Sequence, residues 1–325
     1  MEKVPKAGYT IEGLWISGFH RKQMWRNILF PFKLISSLWK ANRLINAFRP
    51  DVVVGVGGFA SGPTLRMASA KGIPTLIQEQ NSYAGVTNRL LAKSADRICV
   101  AYPNMESTFP AEKIVFTGNP VRSSILKLTA EREEASKHFG FDAQKPILLM
   151  VGGSLGASAF NKAMKLNTAF FEAHPDVQIL WQCGSLYENE YKNCATAQLP
   201  NVQMSAFIDR MDLAYSMCDV IIARAGAGTI SELMVIGKPV ILIPSPNVAE
   251  DHQTYNAKAL VDKGAALLIP NKSIDKALFP AIEQLLKNSD KRSDLTTKMK
   301  SLAITDAAEV IAKEVLRLVS KNERS

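Results

Sequence analysis

The sequence predicts an α/β protein of two doubly wound domains with parallel sheets, and three observations carry that expectation. Short β-branched runs alternate with stretches long enough to be crossover helices. The alternation halts at a polar, helix-like segment and then starts again. The 325 residues also exceed what one hydrophobic core usually holds.

In the first half the predicted strands are residues 52–56, 74–77, 97–101 and 113–117. The helix-like segment covers residues 123–139 and ends at Gly140; the strands resume at 146–151, 177–182, 219–223 and 239–243. Gly118-Asn119-Pro120 breaks both strand and helix, so the expected domains are residues 1–121 and 122–304. Residues 305–325 are expected to form a docked helix, with Ala307, Ile311, Val315 and Leu318 on one face, possible partners including the first domain.

Composition removes several classes of function. An apolar fraction of 47% with 21% charged residues, and no low-complexity tract or repeat, is globular rather than disordered or solenoidal. The four cysteines, Cys99, Cys183, Cys194 and Cys218, form no CxxC pair, and His20, His138, His174 and His252 make no zinc-ligand spacing with them. The expectation is reduced thiols, a cytoplasmic setting, and neither a metal nor a cofactor.

The net charge of +9 is concentrated: residues 13–50 hold Arg21, Lys22, Arg26, Lys33, Lys40, Arg43 and Arg49 and no acid. Ile28, Phe32, Ile35 and Leu38 recur there at helical spacing, with Trp25 and Trp39 close by. Such a basic amphipathic stretch is too short and too charged to span a bilayer and lacks a signal-cleavage pattern. It either lies on an anionic membrane or turns its apolar stripe into the core, and both readings stand at this stage.

Two glycine-rich turns carry the chemistry of the second half. Val151-Gly152-Gly153-Ser154-Leu155-Gly156-Ala157 lies between a predicted strand and a helical run, where unpaired N–H groups and a helix dipole suit a phosphate and Ser154 adds a donor. A tight turn without ligand would look the same. Arg224-Ala225-Gly226-Ala227-Gly228-Thr229-Ile230-Ser231-Glu232 follows the strand at 219–223 in the same way. Glu232 there can accept two hydrogen bonds from a ribose diol, although acids are also simply favoured in a first helical turn. Pro244-Ser245-Pro246-Asn247 and Asp251-His252-Gln253 follow the next strand, so three strand ends carry polar turns that line one crevice in an open parallel sheet.

Together these residues closely resemble the MurG family of membrane-associated N-acetylglucosaminyltransferases. The resemblance includes Gly55-Val56-Gly57-Gly58-Phe59-Ala60-Ser61-Gly62-Pro63, Glu79-Gln80-Asn81, Gly118-Asn119-Pro120-Val121-Arg122, the Gly152 turn, Phe207-Ile208-Asp209, residues 224–232 and His252-Gln253, in order along nearly the whole chain.

The resemblance implies a GT-B architecture, two Rossmann-like domains facing across a cleft. It implies inverting, metal-free transfer of GlcNAc from UDP-GlcNAc to undecaprenyl-linked muramoyl-pentapeptide, at the cytoplasmic face of the inner membrane and without nucleic acid. Ile208 is then expected at the uracil through its backbone, Glu232 at the ribose, and Ser154, Thr229 and Arg122 at the diphosphate. Ala227, Gly228, Asn81 and Gln253 are expected at the GlcNAc and its phosphate, with Ile230 and Ser231 in the same donor-binding turn. Gly57, Gly58 and Ser61 belong to the acceptor-side loop. Arg21, Lys22, Arg26, Ile28, Phe32, Ile35 and Leu38 become the membrane contact.

One departure matters. The family opens with a strand and a Gly-Gly-Thr-Gly-Gly-His loop whose His is the proposed general base, and no such segment occurs here; His20 is not its counterpart. The expectation is a first domain incomplete at its start, through a misplaced start codon or as an impaired UDP-binding remnant. Loss of the base would cost roughly 10²- to 10⁴-fold in rate. The rivals are a soluble UDP-GlcNAc epimerase of the same architecture and, from Gly55-Val56-Gly57-Gly58 with Glu79 downstream, an NAD dehydrogenase.

Overall fold

The computed structural model describes residues 3–19 and 24–322. The chain forms two compact units, one running to Gly118 and resuming at Ala308, the other Asn119–Ala307.

After two short helical turns at Lys3–Lys6 and Met24–Asn27, the first long helix of the first unit is α1 (Phe30–Phe48), which has a proline in its first turn and stops at Arg49 in the left-handed conformation, just before Pro50. Then follow β1 (Val53–Gly55), α2 (Ser61–Ala70), β2 (Thr75–Glu79), α3 (Val86–Leu91), β3 (Arg97–Val100) and β4 (Ile114–Phe116). The strands pair in parallel in the order β1-β2-β3-β4. Alternation along β2 and β3 sends Ile77 and Ile98 to one face, where they meet Leu65, Leu91, Met105 and Phe109. It sends Leu76 and Cys99 to the other, where the helix Ala307–Asn322 covers them with Ile311, Val315 and Leu318. Buried Glu314 on that helix pairs with Arg97 of β3 at 3.5 Å and with Arg317. β1 lies at the sheet edge, with Val54 and Val56 exposed.

α1 packs the face that carries Ser37, Ala41 and Ile45 inward. Its opposite face is apolar and bare: Phe32, Ile35 and Trp39 are each 64–65% exposed, and Ile28 and Trp25 extend the stripe. The reading in which this stripe enters the core is therefore overturned; helical phase puts Trp39 on the stripe and leaves Leu38 half-buried at its margin. His20, Arg21, Lys22 and the side chain of Arg26 lie outside the described residues. Among the described residues no helix is long and apolar enough to cross a membrane.

The second unit contains α4 (Ser123–Leu126), α5 (Arg132–His138), β5 (Ile147–Val151), α6 (Ser158–Leu166), α7 (Thr168–Ala173), β6 (Gln178–Gln182), β7 (Val202–Ser205), α8 (Met211–Met217), β8 (Val220–Ala223), α9 (Ala227–Ile236), β9 (Val240–Leu242), α10 (His252–Val261) and β10 (Leu267–Leu268). The single helix expected over 123–139 is corrected to α4 and α5. Lys127 and Glu131 leave helical geometry, and α5 has its own acidic first turn and basic last turn. Arg132 then bridges α5 to Asp219 with two bonds of 2.8 and 2.9 Å, and the same carboxylate accepts from Ile147 N–H.

The sheet is parallel throughout, in the order β10-β9-β8-β5-β6-β7. Its first strand, β5, is central, and successive strands are laid down on both sides of it. β7 and β10 were not among the predicted strands. The ends of β5, β6, β8 and β9 finish level, Val151 opposite both Gln182 and Ala223, and Ala223 opposite Leu242. That places the switch of winding direction between β5 and β8, where ligands bind in open α/β sheets.

Candidate functional site

Both glycine-rich turns leave the carboxyl ends of the two strands that flank this switch point. In the first, Gly153 and Gly156 adopt positive φ and Gly156 N–H closes the turn on Gly153 O at 2.9 Å. Gly156 is pressed against the next strand end: a Cβ there would stand 2.0 Å from Cys183 O. Gln182 donates to Gly153 O at 3.1 Å, and Asn161 ties α6 to β6 by accepting from Trp181 Nε1 and donating to Cys183 O, each at 2.9 Å. The turn is thus rigid, with Ser154 exposed at its tip.

In the second turn Gly226 is extended and caps α9. The first hydrogen bond within the helix runs from Ile230 N–H to Gly226 O, so the amides of Ala227, Gly228 and Thr229 come before the ladder begins. Space around Gly228 is open; a Cβ there would meet nothing within 4 Å. Ile230 is buried, and Ser231 is buried with its hydroxyl donating to Ala227 O and accepting from Asn119 Nδ2, both at 3.0 Å. Ser231 therefore anchors the turn, while Thr229 is half-buried on it.

Glu232 is held on both of its carboxylate oxygens. Arg122 Nε donates to its Oε1 at 2.8 Å and Tyr215 Oη to its Oε2 at 3.2 Å. The bond to Glu232 raises the pKa of Arg122 above its ordinary value. Two residues read from sequence as separate ligands, Arg122 and Glu232, thus meet each other. Arg122 keeps its two terminal nitrogens for another acceptor.

Beyond β9, Ser245 N–H donates to Gln253 Oε1 at 2.8 Å, so the carbonyl end of this side chain is engaged and its amide nitrogen is the donor end. Arg224 fixes the same segment, with Nη1 donating to Ile243 O, Pro244 O and Asn271 Oδ1 at 2.8–3.1 Å and its guanidinium 4.5 Å from the Phe160 ring. Burial pulls the pKa of Arg224 down to about 10. Glu250 and Asp251 enter α10 through left-handed backbone, a conformation that non-glycine residues adopt at a cost. Ile208 is buried in the loop between β7 and α8.

The remaining predicted residues belong to the first unit. Gly57 and Gly58 follow β1 with positive φ, and Ser61 Oγ donates to Gly57 O. Asn81 follows β2, where Glu79 organises its loop: Oε1 accepts from Asn81 N–H at 3.0 Å, and Oε2 from Gly85 N–H at 3.0 Å and Asn88 Nδ2 at 2.8 Å. Glu79 is buried and its oxygens are spent on this loop, which removes the acidic ribose ligand that a dehydrogenase reading requires. Sequence reasoning missed Tyr215, an aromatic at helical spacing that reads as core, and Asn119 as the partner of Ser231.

Comparison with known proteins identifies the family. Residues 1–100 match the glycosyltransferase family 28 N-terminal domain and residues 147–315 its C-terminal domain. A UDP-N-acetylglucosamine--N-acetylmuramyl-(pentapeptide) pyrophosphoryl-undecaprenol N-acetylglucosamine transferase of Bacteroides fragilis is 49% identical over 99% of this chain and 85% of its own length. The protein of that name from Flavobacterium psychrophilum is 48% identical, over 99% and 87%. Among solved structures, Acinetobacter baumannii MurG superposes with a TM-score of 0.72 at 34% identity, covering 88% of this chain and 79% of that one. The Staphylococcus aureus MnaA–UDP structure, at 15% identity and a TM-score of 0.68 over 89% and 82%, shares the fold alone. With two parallel-sheet α/β units, glycine-rich turns at the switch point and relatives of this identity over nearly its full length, the chain is a glycosyltransferase of GT-B fold that belongs to family 28, within its MurG group.

Proposed function

We propose that this chain transfers N-acetylglucosamine from UDP-GlcNAc to undecaprenyl-diphosphate-linked N-acetylmuramoyl-pentapeptide, with inversion, in bacterial cell-wall synthesis. The observation that carries the reading is the start of α9, where three unladdered amides stand one turn from a carboxylate held in place on both oxygens. The names of relatives 48–49% identical to the chain support it.

In this reading the diphosphate lies across the starts of α6 and α9, with Ser154, Thr229 and the free nitrogens of Arg122 as further donors. Charge develops on that diphosphate as the glycosidic bond breaks, and fixed dipoles with a guanidinium stabilise it without reorganising. Glu232 takes the ribose hydroxyls and the backbone at Ile208 takes the uracil. Ala227, Gly228 and the Gln253 amide take the sugar; of the first unit's residues, Asn81 is assigned to the donor and Gly57, Gly58 and Ser61 to the acceptor. The bare stripe of α1 seats the enzyme peripherally on the cytoplasmic leaflet. Each fully inserted side chain would contribute roughly 1.5–3 kcal/mol and each nearby cation about 1 kcal/mol.

Titration calorimetry on the full chain tests the nucleotide half of the reading. Binding of UDP, no heat with NAD, and weakening of UDP-GlcNAc binding by about tenfold or more in Glu232→Ala are expected from the loss of hydrogen bonds to a charged acceptor. Absence of heat with UDP would refute it.

A further inference from the structure

Glu232 begins as a flexible side chain one turn into a helix, and a flexible carboxylate reads a diol poorly, because ordering it on binding costs rotamer entropy. Its two anchors differ in kind. Arg122 comes from an exposed position just before α4, a long side chain with many rotamers. Tyr215 sits on α8 with its side chain almost wholly buried. Burial, followed by the neighbouring Glu232 charge, pushes the phenol's pKa well above its ordinary value, so it remains a donor throughout the physiological range. The backbone beneath Glu232 is separately pinned by Asn119 on Ser231 and by Asn256 Nδ2 on Ala225 O at 3.3 Å. What remains to be set is the carboxylate's own rotamer.

The geometry points to Tyr215 as the residue that positions Glu232 for the ribose, and hence as a determinant of ribonucleotide specificity. This rests on the assignment of the ribose to Glu232. With one donor from the protein on each oxygen, each oxygen keeps a lone pair for one hydroxyl of the diol, in an orientation set before the nucleotide arrives. Tyr215 is a positioning residue in this scheme and does not touch the nucleotide.

The test is calorimetry with UDP and 2′,3′-dideoxy-UDP on the full-length wild type, Tyr215→Phe, Glu232→Ala and the double variant, each checked by thermal melting. The wild type is expected to prefer UDP by about tenfold or more. Tyr215→Phe should weaken UDP but not the dideoxy nucleotide, shrinking that preference roughly three- to tenfold. In the Glu232→Ala background the same change should leave the preference where it is. An undiminished preference in folded Tyr215→Phe, equal weakening of both nucleotides, or a further loss in the double variant overturns the role of Tyr215. A wild type that binds both nucleotides equally refutes instead the ribose assignment beneath it.

Discussion

Gly156 and Gly184 touch backbone to backbone: a Cβ built on Gly184 would stand 2.2 Å from both Cα and N of Gly156. Both have positive φ, at +82° and +89°. The turn that carries Ser154 is therefore seated on the loop after β6 by the absence of side chains. Gly184→Ala is expected to destabilise the second unit by about 2 kcal/mol or more, because neither the backbone conformation nor the space admits a methyl. Urea denaturation should show the loss, and UDP affinity should fall with it. Gly153→Ala serves as the contrast: its φ is +88°, yet no atom lies within 4 Å of the added carbon, so it carries the conformational cost alone.

Phe32 and Ile35 stand bare on α1. Flotation with anionic liposomes is expected to recover the wild type and to lose the Phe32→Ser, Ile35→Ser double variant, with binding that weakens as salt screens the surface cations. Since neither side chain supports the core, the double variant should melt within about 0.5 kcal/mol of the wild type. Undiminished flotation would defeat the membrane assignment.

Cysteine reactivity should divide three to one. Cys99, Cys183 and Cys218 are buried, and burial raises the pKa of each, to about 12 for Cys99 and Cys218. A raised thiol pKa keeps the neutral form at pH 8, and the neutral form is a poor nucleophile. Cys194 is only half-buried. Mass spectrometry after brief alkylation of the folded protein at pH 8 should find Cys194 modified first, with the other three reacting only after unfolding.

The sheets were legible because most strands are short apolar runs: β2, β5, β8 and β9 are buried along almost their whole length, while the partly exposed β1 and β4 showed through their β-branched residues. The expected strand at 146–151 is β5 (Ile147–Val151), and that at 219–223 is β8 (Val220–Ala223). β7 escaped because Val202-Gln203-Met204-Ser205 holds one β-branched residue at a sheet edge, and β10 because two leucines make no pattern. The helix expected over 123–139 failed where charges on both sides of residues 127–131 concealed a break. At the candidate site, the turns and Glu232 could be read from local spacing. The partners of Glu232 could not, since Tyr215 arrives from another helix and Arg122 from 110 positions away.

The return of the helix Ala307–Asn322 to the first sheet also constrains biogenesis. On the ribosome, Leu76 and Cys99 emerge early, but the residues that cover them are made only after the entire second unit. At roughly 5–20 residues per second, that interval is on the order of ten seconds or more. Throughout it the nascent first unit carries an uncovered apolar sheet face. A frameshift near the 3′ end of the gene would therefore strip the cover from the half of the protein that was translated first.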